Sequence, residues 1–224
     1  MYFSALFVVL RLWRPNDPMT EAPPQTRIQR ENTARILEAA LDEFSTQGYS
    51  GTTLDRIAQG AGLSKPNLLY YFGSKEAIHS SLMAGLLTTW LDPLRGLHRD
   101  GDPVEEIVAY VLRKLEMSRL YPRESRLFAN EILQGAPRIL DLIEGELRDL
   151  VEEKAGLIGQ WQGQGKLAPL EPRHLIFSIW ATTQHYADFD VQVRAILRPA
   201  KDRHFDAAAS FLADFYRGAL RPRG

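Results

Sequence analysis

Apolar residues recur at intervals of three and four positions along most of the chain. This spacing is typical of amphipathic helices, and no segment alternates apolar and polar residues as a half-buried strand does. We therefore predict an all-α protein. Besides two short helices within residues 52–72, the pattern predicts longer helices over about 30–47, 74–93, 103–121, 123–134, 137–162, 172–193 and 202–220. Pro93 is expected to kink or end its helix, because proline lacks a backbone N–H.

Residues 52–72 have the pattern of two short helices joined by a tight turn. Thr52, three residues before an aspartate, approximates a capping box at the start of the first helix. Gly62 can adopt the left-handed conformation that a tight turn requires. Ser64 followed by Pro66 is typical of the start of a second helix. Two short helices around a glycine-containing turn indicate a helix-turn-helix, which reads DNA.

Five polar residues in and beside this motif are candidates for DNA contact. Lys65 suits a phosphate or a guanine edge, and Asn67 has the donor and acceptor pair that matches adenine. Tyr70 and Lys75 suit the phosphate backbone. Thr53, at a predicted helix start, could bind a phosphate through its hydroxyl or its backbone N–H. The alternative interpretation is an ordinary solvated helix face.

Composition and charge limit the function classes. The chain has 224 residues, no cysteine, 45% hydrophobic residues and a formal net charge of -1. A near-neutral chain is not a bulk binder of polyanions, so DNA affinity must come from a local surface. Residues 27–75 hold six basic and five acidic side chains, a balance of only +1. The absence of cysteine excludes disulfides and thiolate metal sites and suits a reducing cytoplasm, where we expect the protein to reside.

The first 26 residues are predicted to be a disordered arm. Residues 1–10 are almost wholly apolar, but a bilayer span needs about 20 such residues. Positive charge precedes the apolar run of a signal peptide, and here it follows. Met19 begins a more typical N-terminus. We interpret residues 1–18 as an over-called translation start, with an amphipathic membrane anchor as the alternative.

The last two predicted helices carry apolar residues on more than one face. A helix that is apolar nearly all round is buried on both sides. In a chain of this size we expect the second side to meet another copy of the chain, with two helices from each protomer forming a four-helix interface. The predicted interface residues are Ile179, Tyr186, Phe189, Phe205, Leu212 and Phe215.

Three segments in register resemble the TetR family of bacterial transcription repressors: residues 44–49, 53–64 and 70–76, where Phe-x-x-x-Gly-Tyr, Thr-x-x-x-Ile-Ala-x-x-Ala-Gly-x-Ser and Tyr-x-Phe-x-x-Lys-Glu occur. The resemblance implies a homodimeric, non-enzymatic regulator. It also implies a three-helix DNA-binding domain over residues 27–75 and an effector-binding and dimerisation domain over 76–224. Many family members have tyrosine where this chain has Leu69, which leaves this position for packing or for a thymine methyl group.

Further segments are similar to a pyrimidine-sensing subgroup of that family. They lie at residues 67–72, 116–122, 125–128, 135–137 and 179–189. The resemblance implies a repressor that binds uracil or thymine, releases its operator, and controls pyrimidine degradation. A repressor of the same type for a different small aromatic or hydrophobic effector is the first alternative, and a metal-dependent sensor or enzyme on the same scaffold is the second.

Trp180 and Gln184 are the main candidates for binding such an effector. They lie four residues apart and so share a helix face. An indole offers a flat stacking surface, and a carboxamide offers one donor beside one acceptor, as a uracil edge requires. The alternative is a core tryptophan beside a glutamine at a packed interface. Weaker candidates for lining the pocket are Trp90, Phe128, Asn130 and Glu131.

Metal binding and catalysis have little support in the sequence. His185 and Asp188, three residues apart, could pair with Glu131, but two or three ligands without fixed spacing are a weak signal. No nucleophile elbow, phosphate loop or zinc-protease motif occurs. We therefore expect no cofactor, no resident metal and no enzymatic activity.

Overall fold

Helices are the only regular elements of residues 26–222, which are the residues that the structure, a computed structural model, describes. No strand occurs among them, so the all-α prediction is confirmed. The predicted arm at residues 1–26 lies outside the described range except for Thr26. The helices are α1 (Arg27–Gly51), α2 (Leu54–Gly60), α3 (Lys65–Tyr71), α4 (Lys75–Arg95), α5 (Pro103–Leu120), α6 (Pro122–Leu133), α7 (Leu140–Leu142), α8 (Arg148–Gly163), α9 (Pro172–Asp188), α10 (Asp190–Leu197) and α11 (Arg203–Leu220).

Local hydrogen bonds explain where the first helices begin. Thr26 and Gln29 form a capping box at the start of α1. The helix bends out of α-helical geometry at Gly48, whose φ of 68° a glycine adopts without steric cost. The Tyr49 ring therefore turns back and stacks on Phe44, with ring centroids 5.8 Å apart.

The helix-turn-helix forms from α2 and α3. Ser64 caps α3 by accepting the N–H of Asn67 at 3.3 Å, and Gly62 has a φ of 63°, both as predicted. The cap of α2 is Thr53, whose hydroxyl accepts the N–H of Arg56 at 3.3 Å. The predicted capping role of Thr52 is wrong, because its hydroxyl donates to the Gly48 carbonyl at 2.8 Å instead.

Three predicted helices differ from the observed ones. Helix α4 continues through Pro93 to Arg95, so the proline does not end the helix at residue 93. The helix predicted over 137–162 begins as α7, passes through a π-helical stretch at Ile143–Leu147 in which Gly145 leaves helical geometry, and continues as α8. The helix predicted over 172–193 ends at Asp188, and Asp190 starts α10 with its carboxylate bonded to Arg194 at 2.7 Å.

The described chain forms two compact units. The N-terminal unit contains the residues up to Thr89 together with Arg126–Ile139, and the C-terminal unit contains Trp90–Ser125 and the residues from Leu140 onward. In the C-terminal unit α5 packs against α9 and α11 around buried apolar side chains. The predicted functional boundary between residues 75 and 76 stays a prediction, and the compact units divide elsewhere. No helix between Thr26 and Pro222 is both long and apolar enough to cross a membrane.

Candidate DNA interface and effector site

The recognition helix α3 presents most of its side chains to solvent. Leu68 is completely buried and anchors the helix, whereas Lys65, Asn67, Leu69 and Tyr70 are exposed. Tyr70 has 73% of its surface exposed, which is unusual for an aromatic side chain without a binding role. The predicted contact residues of α3 therefore share one accessible surface, as a reading helix requires.

Lys65 is available to a phosphate. Its ammonium lies 2.9 Å from the Asp55 carboxylate on α2, and both side chains are well exposed. Exposed ion pairs contribute at most about 1 kcal/mol, so a phosphate oxygen can replace the aspartate at little cost. Thr53 keeps a hydroxyl proton to donate while its oxygen caps α2.

Lys75 is engaged inside the unit. Its ammonium donates to the backbone carbonyls of Tyr49 and Thr52, both at 2.8 Å, and lies 4.3 Å from the centre of the Tyr49 ring. Two of its three protons are thus used to join the start of α4 to the segment that leads into α2. Its predicted contact with the phosphate backbone stays a prediction, and the geometry favours a positioning role.

Behind the reading helices lies a buried polar cluster of the N-terminal unit. The Glu131 carboxylate accepts the backbone N–H of Arg138 at 3.0 Å and its guanidinium at 3.1 Å. His79 Nε2 lies 3.6 Å from the same carboxylate. Burial lowers the pKa of His79 to about 4, although Glu131 acts in the opposite direction. The histidine is therefore neutral at pH 7.

This cluster and its helix contain three of the residues that were predicted to line the effector pocket. Glu131 is 2% exposed and already paired with Arg138. Phe128 and Asn130 are half-buried on the same stretch of α6, which belongs to the N-terminal unit. The other effector candidates, Trp90, Trp180 and Gln184, belong to the C-terminal unit. The sequence prediction thus combined residues of two units, and Glu131 has a structural partner of its own.

Trp180 is held by a buried tyrosine. Its indole Nε1 donates to the hydroxyl of Tyr110 on α5 at 2.6 Å. Burial raises the pKa of Tyr110 well above its usual range, so its hydroxyl stays protonated. The indole N–H is therefore used within the protein. Gln184, one turn further along α9, is half-buried, and its carboxamide has no hydrogen bond within residues 26–222.

Trp90 and Lys114 form a second buried pair in this unit. Trp90 is 8% exposed, and its Nε1 has no acceptor in the described part of the chain. The Lys114 ammonium lies 4.8 Å from the centre of the Trp90 ring. Lys114 is 2% exposed, and burial lowers its pKa to about 7, while the charge of Asp188 acts to raise it.

Sequence reasoning did not select Lys114. A lysine in an amphipathic helix is normally solvent-facing. A signal was nevertheless present, because Lys114 lies three and four residues after Val111 and Tyr110, on the apolar stripe of α5. A charged residue in an apolar stripe is expected to be buried and, like any buried polar group, to need a hydrogen-bond partner.

The three residues weighed as a possible metal site, His185, Asp188 and Glu131, have other neighbours. Asp188 accepts the Ser125 hydroxyl at 2.5 Å, and the His185 ring stacks on Phe189 with centroids 5.0 Å apart. Glu131 belongs to the other compact unit. Among residues 26–222 no three histidine, cysteine or acidic side chains are grouped so that they could hold a metal ion.

The predicted dimer residues divide into two sets. Ile179, Phe205 and Leu212 are buried within the protomer at 1%, 6% and 2% exposure, so their side chains cannot meet a partner. Phe189 and Phe215 are about half exposed, and Tyr186 is half-buried against Phe205. On α11 the predicted set therefore contains two core residues, Phe205 and Leu212, and one exposed residue, Phe215, and the assignment of this set to a dimer interface stays a prediction. The exposed apolar side chains of α9 to α11 are Phe177, Phe189, Val191, Ile196, Leu197, Phe211 and Phe215.

Comparison with known families decides the classification. Residues 36–82, which contain the helix-turn-helix, match the family described as bacterial regulatory proteins, tetR family. Residues 83–223 match the C-terminal region of YcdC-like proteins, a tetR-type C-terminal domain. The chain belongs to the tetR family. It is accordingly a DNA-binding transcriptional regulator rather than an enzyme, and the resemblance inferred from the three sequence motifs is confirmed.

Individual relatives agree with this tetR assignment. The chain is 53% identical over 161 residues to the HTH-type transcriptional regulator RutR of Escherichia coli strain K12, covering 72% of this chain and 76% of the relative. It is 28% identical over 79 residues to IcaR, the negative regulator of the biofilm operon icaADBC in Staphylococcus epidermidis, covering 35% of this chain and 43% of the relative.

Two solved structures show the same fold. The ketosteroid transcriptional regulator KstR2 of Mycobacterium tuberculosis has a TM-score of 0.62 at 19% identity, with 85% of this chain and 95% of that chain covered. A TetR-like regulator of Rhodococcus sp. RHA1 also has a TM-score of 0.62, at 22% identity, with 84% and 94% covered. At these identities the likeness concerns the fold alone.

Proposed function

We propose that this tetR-family regulator is a repressor that releases its operator when it binds uracil or thymine, and that it controls pyrimidine degradation. The observation that carries the proposal is the set of three side chains that the C-terminal unit contains, the half-buried Trp180 and Gln184 one turn apart on α9 and the buried Trp90. It combines two indoles with an amide that has no partner in residues 26–222. The similarity to RutR over 161 residues supports the same proposal.

The chemistry of this group suits a flat, polar ring. Uracil and thymine alternate N–H donors with C=O acceptors along one edge, and a carboxamide can pair with such an edge through its own donor and acceptor. Because Tyr110 holds the Trp180 indole by its N–H, the indole contributes its face rather than its donor. Trp90 retains a free N–H for a carbonyl oxygen.

The DNA side of the function rests on α3. Lys65 and Tyr70 contact phosphates in this proposal, Asn67 reads a base edge, and Leu69 meets a thymine methyl or the groove wall. Thr53 binds a phosphate at the start of α2. Two copies of α3 in a dimer would read half-sites about 34–36 Å apart, or a multiple of one helical turn.

A second copy of the chain is the proposed partner of the exposed apolar side chains on α9 to α11. These include Phe177, Phe189, Phe211 and Phe215, each about half exposed. Large apolar patches of this kind mark interaction surfaces in soluble proteins. A symmetric interface would pair α9 and α11 with their copies in the partner protomer.

Effector binding would then shift the population between two dimer states. An effector changes DNA affinity only to the extent that it binds the two states unequally. Helix α4 carries Lys75 at its first residue and Trp90 fifteen residues later, so one continuous helix bears both a residue of the DNA-binding unit and a residue of the proposed effector group. A displacement of α4 would change the spacing of the reading helices.

Thermal unfolding of the full-length protein with uracil, thymine, cytosine or no ligand tests the effector. A ligand at about a hundred times its Kd stabilises the native state by roughly 2.7 kcal/mol, which raises Tm by several degrees. Gln184→Ala should remove the shift, and the exposed Gln160→Ala is the matched control that should keep it.

Operator release provides the second measurement. Anisotropy of a labelled operator should fall when uracil or thymine is added to the wild-type complex, and should not fall for Gln184→Ala. If no pyrimidine shifts Tm, uracil and thymine are refuted as effectors, while the assignment as a DNA-binding regulator stands. In that case a shift with a bulkier aromatic compound would indicate a regulator for a different effector.

A further inference from the structure

Two buried hydrogen-bond donors of the C-terminal unit lack acceptors in the described part of the chain. One is the indole Nε1 of Trp90. The other is the ammonium of Lys114, which makes no hydrogen bond and no ion pair with any described residue, although the residue is only 2% exposed. Such groups are rare in native proteins because each costs its full desolvation free energy, and a charged one costs most.

The two donors lie close together. The Lys114 ammonium is 4.8 Å from the centre of the Trp90 ring, close enough for a cation–π contact. This contact compensates only part of the lost hydration of an ammonium group, which has three protons to donate. Both donors are therefore available to an oxygen acceptor, and two neighbouring donors suit a ligand that carries such acceptors.

The register of α5 and α9 relates Lys114 to the other effector residues. Tyr110, one turn before Lys114 on α5, holds Trp180 of α9 at 2.6 Å. Gln184 and Asp188 follow Trp180 at successive intervals of four on the same face of α9. The Asp188 charge acts on Lys114, but Asp188 itself is bonded to Ser125. Lys114 thus lies one turn from the residue that contacts Trp180, and the charge that acts on it belongs to the same helix as Gln184.

We propose that Lys114 is a specificity-determining residue of the effector site, where its ammonium donates a hydrogen bond to a ring carbonyl oxygen and selects dioxopyrimidines over aminopyrimidines. The inference rests on the proposed function and deepens it. In cytosine an amino group replaces one of the two carbonyl oxygens of uracil. An amino group there would bring N–H donors against the ammonium and leave a buried charge without its acceptor.

Gln184 alone could not make this distinction. A carboxamide can rotate about its terminal bond and exchange its donor with its acceptor, so it can adapt to a carbonyl or to an amino group. An ammonium only donates. The discrimination between uracil and cytosine is therefore assigned to Lys114 and, in support, to the N–H of Trp90.

The test compares Lys114→Met with the wild-type full-length protein. Methionine has a similar length and no charge, so it suits an apolar neighbourhood. The matched control is Lys154→Met, since Lys154 is also a buried lysine of the C-terminal unit but is paired with Glu153 at 2.9 Å. Calorimetry gives the Kd for uracil and for cytosine, and anisotropy gives operator affinity without effector.

We expect Lys114→Met to weaken uracil binding by about ten- to a hundredfold, the value of one hydrogen bond to a charged group. Cytosine binding should stay equal or improve, so that the ratio of the two affinities narrows. Operator affinity should stay within about twofold of the wild type, which shows that the variant folds. The Lys154→Met protein should keep the wild-type preference.

Other outcomes refute either the role of Lys114 or the proposed function. If the wild-type protein binds uracil and Lys114→Met binds it equally well, the role of Lys114 is refuted and the proposed function stands. If the wild-type protein binds no pyrimidine, the proposed function fails first. Should Lys114→Met lose operator binding, Lys114→Gln replaces it, and a uracil-to-cytosine ratio unchanged in that folded variant refutes the inference.

Discussion

The guanidinium carbon of Arg138 lies 3.5 Å from the centre of the Tyr49 ring. The Lys75 ammonium lies 4.3 Å from the same centre, and the His79 ring meets its edge with centroids 5.1 Å apart. All four residues belong to the N-terminal unit. Tyr49 thus joins the end of α1 and the start of α4 to a segment that follows about ninety positions later in the chain. Because Thr52 and Thr53 lie just beyond Tyr49, this arrangement supports the start of the helix-turn-helix.

Replacement of Arg138 should disturb the DNA-binding unit. Arg138→Met leaves the Glu131 carboxylate buried with a neutral histidine as its neighbour, so we expect a loss of about 2–4 kcal/mol in the free energy of unfolding. Operator affinity should fall with it, because Tyr49 and Lys75 lose a neighbour. Urea unfolding and anisotropy measure the two effects.

The paired change Arg138→Met with Glu131→Gln separates charge from packing. Removing both charges should recover part of the loss, since no unpaired carboxylate then remains. The control is Arg173→Met, whose partners Glu152 and Glu171 are exposed, and it should leave unfolding nearly unchanged. A double variant as unstable as the sum of its two single variants would contradict the coupling.

Lys65 and Lys75 should respond differently to removal. Lys65→Ala should weaken operator binding by about tenfold or more and lower the salt dependence by roughly one phosphate contact, with Tm and effector affinity unchanged. Lys75→Met should lower Tm as well, because the carbonyls of Tyr49 and Thr52 lose their donor. Equal loss of operator and effector binding in Lys65→Ala would contradict the division into two functions.

The buried ammonium of Lys114 should make stability depend on pH. Its pKa is lowered from 10.5 to about 7 by burial, so the unfolded chain binds more protons than the folded chain between these values. Stability without effector should therefore rise with pH across this window, by about 1.4 kcal/mol per pH unit from this residue. The charge of Asp188 acts in the opposite direction to burial and raises the pKa of Lys114.

Urea unfolding at pH 7, 8 and 9 measures this slope. Lys114→Met should unfold with a smaller slope and should be more stable than the wild type at pH 7, since it removes a buried charge. Lys154→Met, whose lysine is paired with Glu153, keeps the slope of the wild type. A wild-type protein whose stability falls between pH 7 and 9 would argue against the lowered pKa of Lys114.

The exposed aromatic side chains of α11 should hold the dimer together. Phe211→Glu with Phe215→Glu places two charges on a face where each ring is more than half exposed, and we expect monomers in sedimentation experiments with helicity retained. Leu133→Glu is the control, because Leu133 is 83% exposed but belongs to the N-terminal unit. A dimer that survives the double change on α11 would place the interface elsewhere.

Much of the DNA-binding motif could be predicted because it depends on contacts within three or four residues. Ser64 caps the N–H of Asn67, and Gly62 adopts a positive φ that no distant neighbour has to impose. Even here one prediction, the residue that caps α2, was wrong. Thr52 and Thr53 are adjacent and equally able to cap a helix, and the Gly48 carbonyl, freed by the bend in α1, decided which hydroxyl does so.

The residues that we propose for the effector site were only partly predictable. Trp180 and Gln184 could be found from their spacing and their chemistry, which are properties of one helix. The burial of Lys114 and of Glu131 could not be predicted, because a long polar side chain on a helix is buried or exposed according to what packs opposite. The Trp90 ring lies against Lys114, and Arg138 and His79 lie beside Glu131.

By itself the sequence determined most of the helices, the reading motif and the family, since local hydrogen bonds and apolar periodicity depend little on the rest of the chain. Only the tertiary structure decided which stripe of α11 enters the core, where Phe205 and Leu212 lie, and which remains outside, where Phe211 and Phe215 lie. It also decided that segment 126–139 joins the DNA-binding unit. Both outcomes depend on packing between helices that are distant in sequence. The sequence of a single helix does not specify which other helix packs against it.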